Sequence, residues 1–85
     1  MTPKRRNNFN ITADILKVCL YGANKTRIVY AANLNYKRVE GYLELCIRLR
    51  LLNKQLDGVY RTTTEGARFL KSYFGALSGT ERGAN

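Results

Sequence analysis

Lys37, Gly41, Glu44 and Arg48 are separated by four, three and four residues, a spacing that stacks them along one side of a helix turning 100° per residue. That side offers cationic donors, a carboxylate acceptor and a gap. Lysine and arginine can donate to phosphate oxygens or to guanine O6 and N7, and glutamate can accept from cytosine N4. Gly41 costs helix stability, yet its missing side chain lets another backbone approach closely. It also reads as a tolerated glycine on a solvated face. Tyr36 and Arg38 open the same stretch, with Glu40 and Leu45 beside it.

Further cations surround this set. Lys25, Thr26 and Arg27 fall where the first turn of another helix is expected, and free amides there favour phosphate. Lys54 and Arg61 stand either side of Asp57-Gly58, while Lys4, Arg5 and Arg6 form a basic run near the N-terminus. The expectation is that these residues hold a phosphate backbone, the run at Lys4 to Arg6 reading either as a solubilising tail or as an arm on DNA. Fifteen Lys and Arg against six Asp and Glu leave a net charge of +9, enough on so small a domain to attract polyanions. Double-stranded DNA is the expected partner. A membrane is not: no run of 18 apolar residues is present, and the N-terminal residues lack the apolar stretch of a secretory signal. The expected location is the cytoplasm, on the nucleoid.

Catalytic and metal chemistry are poorly served. The 85 residues contain no histidine and two cysteines, Cys19 and Cys46, each inside an apolar helical stripe. Buried free cysteine behaves as a small hydrophobe, and with no C-x-x-C pair a zinc site is not expected. Asp14, Glu40, Glu44, Asp57, Glu65 and Glu81 read as surface, capping, turn or tail residues. No enzyme, cofactor or metal site is expected.

These residues must be positioned by a small set of elements. Residues 1–10 read as a flexible basic arm. Thr12 would cap a first helix with Ile15, Leu16, Cys19 and Leu20 on its core side and Asp14 near its positive end; Gly22 would end it. Asn24 would cap a second helix with core residues Ile28, Val29 and Ala32, and Asn33-Leu34 would connect it to a third. Asn35 would cap that third helix, whose apolar face is Val39, Tyr42, Leu43, Cys46 and Leu49. Asp57-Gly58 then marks a two-residue hairpin turn, a register that sets Lys54 opposite Arg61, a destabilising pairing of like charges. Thr63 or Thr64 would cap a last helix with Glu65 in its first turn and a stripe of Ala67, Leu70, Tyr73 and Phe74. Gly75, Gly79 and Gly83 would end the order, leaving the domain at 11–77 and a flexible tail at 78–85.

Three helices, a hairpin and a closing helix define a winged helix-turn-helix, mainly α with a β-hairpin (α+β), with residues 35–50 as the reading helix and 52–62 as the wing. The run G-A-N-K-T-R-I-V-Y-A-A-N-L-N-Y-K-R-V-E-G-Y-L, then Leu51-Leu52, Asp57-Gly58 and Y-R-T-T-T-E-G-A-R-F-L, resembles the small archaeal winged-helix DNA-binding proteins, the ten-kilodalton nucleoid class and related transcription regulators. The resemblance spans about Ala13 to Tyr73. It implies DNA binding, architectural or regulatory. Relatives usually carry glycine where Arg50 stands, so this chain must build that helix end without it. In the nucleoid class the last helix extends into a long coiled coil; here Gly75 is expected to interrupt it after about three turns.

Leu70, Tyr73, Phe74 and Leu77 are the surface expected for a compact homodimer. The competing reading is a winged-helix module that binds protein and not DNA, for which Leu45, Leu56 and Val59 speak. RNA is a third partner class, although no aromatic pair on a sheet suggests the usual stacking platform.

Overall fold

The computed structural model describes the backbone of residues 7–83 and the side chains of residues 7–75. Three helices begin at asparagines. Asn7, Asn24 and Asn35 hold extended backbone, and their side-chain oxygens accept from the amides of Asn10, Arg27 and Arg38 at 2.8, 2.9 and 2.7 Å. They start α1 (Asn8–Val18), α2 (Lys25–Ala32) and α3 (Tyr36–Arg48). For α4 (Thr64–Gly83) the cap is Thr63, whose Oγ1 accepts from the Gly66 amide at 3.0 Å.

The first of these helices starts earlier than expected. Thr12 is not its cap: Asn7 and Asn10 form a reciprocal capping box, the Asn7 amide donating back to Asn10 Oδ1 at 3.2 Å. Residues 7–10 therefore belong to the folded domain instead of the arm, and Asp14 sits in mid-helix, away from the positive end. After Val18 the chain tightens into a 3-10 turn, Cys19–Tyr21, which Gly22 ends at φ +93°.

Both α2 and α3 end by folding their last carbonyls onto following amides, with a residue in left-handed backbone. At α2 this is Asn33, φ +56°. At α3 it is Arg50, φ +65°, whose amide donates to Ile47 O at 3.0 Å while that of Leu51 donates to Cys46 O at 2.8 Å. Glycine fits such a position without steric cost; arginine holds it here against that cost. Leu49, expected on the core face, lies at this helix end and is exposed.

The sheet has three antiparallel strands in the order β1-β3-β2, with β1 at Ala23–Asn24, β2 at Leu52–Lys54 and β3 at Val59–Thr62. The short β1 adds an edge strand to the expected hairpin. In the hairpin Leu52 faces Thr62, Asn53 faces Arg61 and Lys54 faces Tyr60, one residue off the expected register. The cause is the turn. Gly58 N donates to Gln55 O at 3.0 Å and Gln55 N to Val59 O at 2.8 Å, so Leu56, Asp57 and Gly58 form a three-residue loop with Gly58 at φ +84°, the arrangement of a type I turn followed by a left-handed bulge residue. Asp57 Oδ1 accepts from Val59 N at 3.1 Å and steadies it. Lys54 and Arg61 are therefore not opposed.

The core lies between the helices and the inner sheet face, with Ile15, Leu16, Cys19, Ile28, Val39 and Cys46 fully buried. Tyr60 and Leu70 close it from β3 and α4. α4 does not stop at Gly75; it runs through Gly79 to Gly83, so the expected tail from residue 78 is helical through Gly83. It approaches the sheet so closely at Gly66 that a Cβ there would overlap the Leu51 carbonyl oxygen and lie 2.6 Å from Thr62 Cγ2.

Candidate nucleic-acid interface

Burial of Val39, Leu43 and Cys46 turns the opposite side of α3 outward, and Lys37, Gly41, Glu44 and Arg48 all lie exposed on it. Nothing stands within 4 Å of a Cβ built on Gly41. Arg38 and Leu45 border this face on the α1 side, in an open depression shared with Asn8, Gly41 and Tyr42. There the Tyr42 hydroxyl donates to Asn8 Oδ1 at 2.7 Å, tying α3 to the start of α1.

On the other side α3 faces the wing across a groove of about 250 Å³ lined by Lys25, Glu40, Leu43, Glu44, Ile47, Lys54 and Tyr60. Lys25 Nζ donates to Glu40 Oε2 at 3.0 Å and lies 5.2 Å from the centre of the Tyr36 ring. Glu40's hydrogen bond holds the Lys25 pKa above its ordinary value, so the ammonium stays charged. An exposed pair of this kind contributes at most about 1 kcal/mol to stability. The pair also offsets charge: the Lys25 ammonium lies against the Glu40 carboxylate, which stays half-exposed, beside the exposed Glu44 of the α3 face. This cross-helix pair had no signal in the sequence, because residues 25 and 40 meet only once both helices are placed. Lys54 projects over the Tyr60 ring at 5.8 Å.

Two expected members of the set lie elsewhere. Cross-strand partners share a sheet face and successive residues alternate, so Lys54 lies with Tyr60 on the side toward α3, and Arg61 with Asn53 on the other. A Cβ on Gly22 would come 3.2 Å from Arg61 Nη2, which places this guanidinium beside the start of β1. Arg27, two residues along α2 from Lys25, lines a separate cleft with Asp14, Lys17, Val18, Tyr21 and Ala31. Thr26 is exposed in the first turn of α2, which carries no acidic residue. Lys4, Arg5 and Arg6 lie outside the described residues.

The surface expected for a homodimer is partly used within the chain. Leu70 is buried. Tyr73 stacks on Phe69 with ring centres 6.4 Å apart, Phe69 on Phe9 at 6.5 Å, and the Tyr73 hydroxyl accepts from Asn10 Nδ2. Phe74 remains exposed, with Lys17 Nζ 5.6 Å from its ring centre. The Leu77 side chain lies outside the described residues.

Cys19 and Cys46 are free and buried. Burial pushes the Cys19 thiol up to about 12, with the neighbouring Cys46 adding to the rise, and the Cys46 thiol up to about 11. Neither is a ready nucleophile. Among the described residues no group of three His, Cys, Asp or Glu could hold a metal ion, and no helix is long and apolar enough to cross a membrane.

No curated protein matches the chain. Among solved structures it is similar to Sso10a-2, a DNA-binding protein from Sulfolobus solfataricus, with a TM-score of 0.78 and 26% identity over 91% of this chain and 84% of that one. The winged helix-turn-helix family matches residues 5–77. That span takes in α1 to α3, the hairpin and most of α4, and the chain belongs to the winged helix-turn-helix family.

Proposed function

We propose that this chain is a non-catalytic DNA-binding protein that sets the outward face of α3 in the major groove and the wing against the sugar-phosphate backbone. The observation that carries the reading is the exposed α3 face of Lys37, Gly41, Glu44 and Arg48, with open space above Gly41. In this docking Lys37 and Arg38 reach guanine edges or phosphates, and Glu44 accepts from cytosine N4. Arg48 touches the groove wall. Lys25, Tyr36 and Thr26 meet the backbone beside the start of α2, and Lys54 meets it from the wing. Lys4, Arg5 and Arg6 add phosphate contacts from the N-terminal side. The similarity to Sso10a-2 supports DNA as the ligand.

Selectivity is broad in this reading. The +9 charge is spread along the chain, and phosphate contacts carry no sequence information, which favours an architectural role over an operator-specific one. The exposed part of α4 around Phe74 is the surface proposed for a homodimer.

The test is fluorescence anisotropy with random-sequence duplex and with the protein's own upstream DNA over a range of salt. Six or so phosphate contacts give an affinity that falls about 10³-fold or more between about 50 and 200 mM salt. Similar affinities for the two duplexes support the architectural role; a preference of about 10³-fold makes the protein a specific regulator. Lys37→Glu and Arg48→Glu are expected to weaken both. Unchanged binding by these variants at equal salt removes α3 from the groove, and no binding at low salt turns the reading to a protein-interaction module. Sedimentation at several concentrations tests the homodimer, a constant monomer mass counting against it.

A further inference from the structure

Tyr21 and Tyr30 are the most exposed aromatic side chains among the described residues, at 87% and 81%, and neither belongs to the α3 groove. Tyr21 stands at the end of the 3-10 turn, on the rim of a cleft of about 430 Å³ between α1 and α2. Two cations share its cleft, and a third lies beside the next residue. Lys17 and Arg27 line the same cleft, and the Arg61 guanidinium lies against Gly22, the residue that follows Tyr21. Lys17 reaches toward the Phe74 ring, while Arg27 and Arg61 are exposed. Asp14 also lines the cleft, as its acid. This cleft and the α3 groove share no lining residue.

Cations set around an exposed aromatic ring suit one polymer in particular. A duplex offers phosphates, but its bases are stacked on each other and present no free face to a tyrosine. A single strand offers both. Its bases stack on an aromatic ring, and its backbone follows a basic surface. We propose that the cleft between α1 and α2 is a second nucleic-acid site, for single strands, in which Tyr21 stacks an unpaired base while Arg27 and Arg61 hold the flanking phosphates. Lys17 adds charge at the near end, and Tyr30, one turn along α2 from Arg27, extends the path. The displacement of Arg61 and Arg27 from the α3 side, unexpected from the sequence, is accounted for by this second site. The inference does not rest on how α3 meets DNA.

The experiment uses the full chain and fluorescent oligo-dT and oligo-U strands in anisotropy titrations at low salt, with duplex titrations run alongside. The parent is expected to bind single strands, and Tyr21→Ala to weaken that binding about tenfold without moving duplex affinity. Tyr21→Phe retains the ring and is expected to bind as the parent does; Arg61→Gln is expected to weaken single-strand binding. A saturating duplex leaves the labelled strand bound. Tighter binding of oligo-U assigns the site to RNA, tighter binding of oligo-dT to single-stranded DNA. The proposal is overturned if the parent binds neither strand, if Tyr21→Ala binds them as the parent does, or if duplex displaces them completely. Because Tyr21 is solvent-exposed, its replacement leaves the core intact, and a thermal melt verifies this for every variant. Duplex binding that survives when single-strand binding is absent leaves the α3 reading standing.

Discussion

At Gly41 two demands on one residue pull apart. A methyl group there meets nothing within 4 Å, so Gly41→Ala is expected to stabilise α3 by about 0.8–1 kcal/mol, raising the melting temperature by several degrees. With α3 in the major groove the same methyl group holds the helix away from the bases and weakens duplex binding. Thermal melts and anisotropy on one preparation check the pair of effects. A rise in stability with unchanged affinity would place DNA on another face. Arg50 shows the complementary case, an L-residue kept in left-handed backbone at the end of the same helix. Its neighbour Thr63 uses the resulting geometry, donating from Oγ1 to the Arg50 carbonyl at 2.6 Å while capping α4.

The elements differ in how much of their placement is local, and that decides what could be read from the chain. α3 was legible because its cap and its apolar spacing lie within one stretch, from Asn35 to Cys46, and its outward face followed from them. The wing was legible as an element but not in register: the sequence marks Asp57-Gly58 as a turn, while the hydrogen bond from Gly58 to Gln55 shifts every pair by one and separates Lys54 from Arg61. β1 is two residues long and exists only through its pairing with β3, information that no local pattern holds. The ion pair of Lys25 with Glu40 and the cleft around Tyr21 have the same non-local origin. For α4, glycines at 75 and 79 read as breakers, yet a single glycine costs a helix only about 1 kcal/mol relative to alanine. Gly66 is where α4 does depend on glycine. Gly66→Ala would push the helix off the Leu51 carbonyl and the Thr62 methyl group, and is expected to cost about 1–3 kcal/mol. Urea unfolding measures it, and a parent-like midpoint would mean the helix moves freely relative to the sheet.

For the molecule as a whole, the two buried thiols set a limit on the alkaline side. Both hold their protons in the fold to about 11 or 12, against 9.0 for a free thiol. Above pH 9 the unfolded chain loses these protons while the folded chain keeps them, so unfolding is favoured as pH rises. The stability from this source is complete below about pH 9 and declines from there toward the folded-state values. Comparing urea midpoints at about pH 8 and about pH 10 is expected to show a fall that is smaller in Cys19→Ala than in the parent. An equal fall in both would assign the alkaline loss to other groups.

The asparagine caps have a consequence that unfolds over time. None of α1, α2 and α3 has an acidic residue in its first turn, whereas α4 has Glu65. Their positive poles are thus covered by neutral amides, which satisfy the backbone without cancelling its field. Asparagine, however, deamidates slowly through a cyclic imide to isoaspartate and aspartate, and the aspartate product also caps a helix. In the aspartate product of Asn24 or Asn35 the cap persists while an attractive pole turns toward repulsion of anions, so that an old molecule can remain folded with a weaker pull on any anion at that helix end.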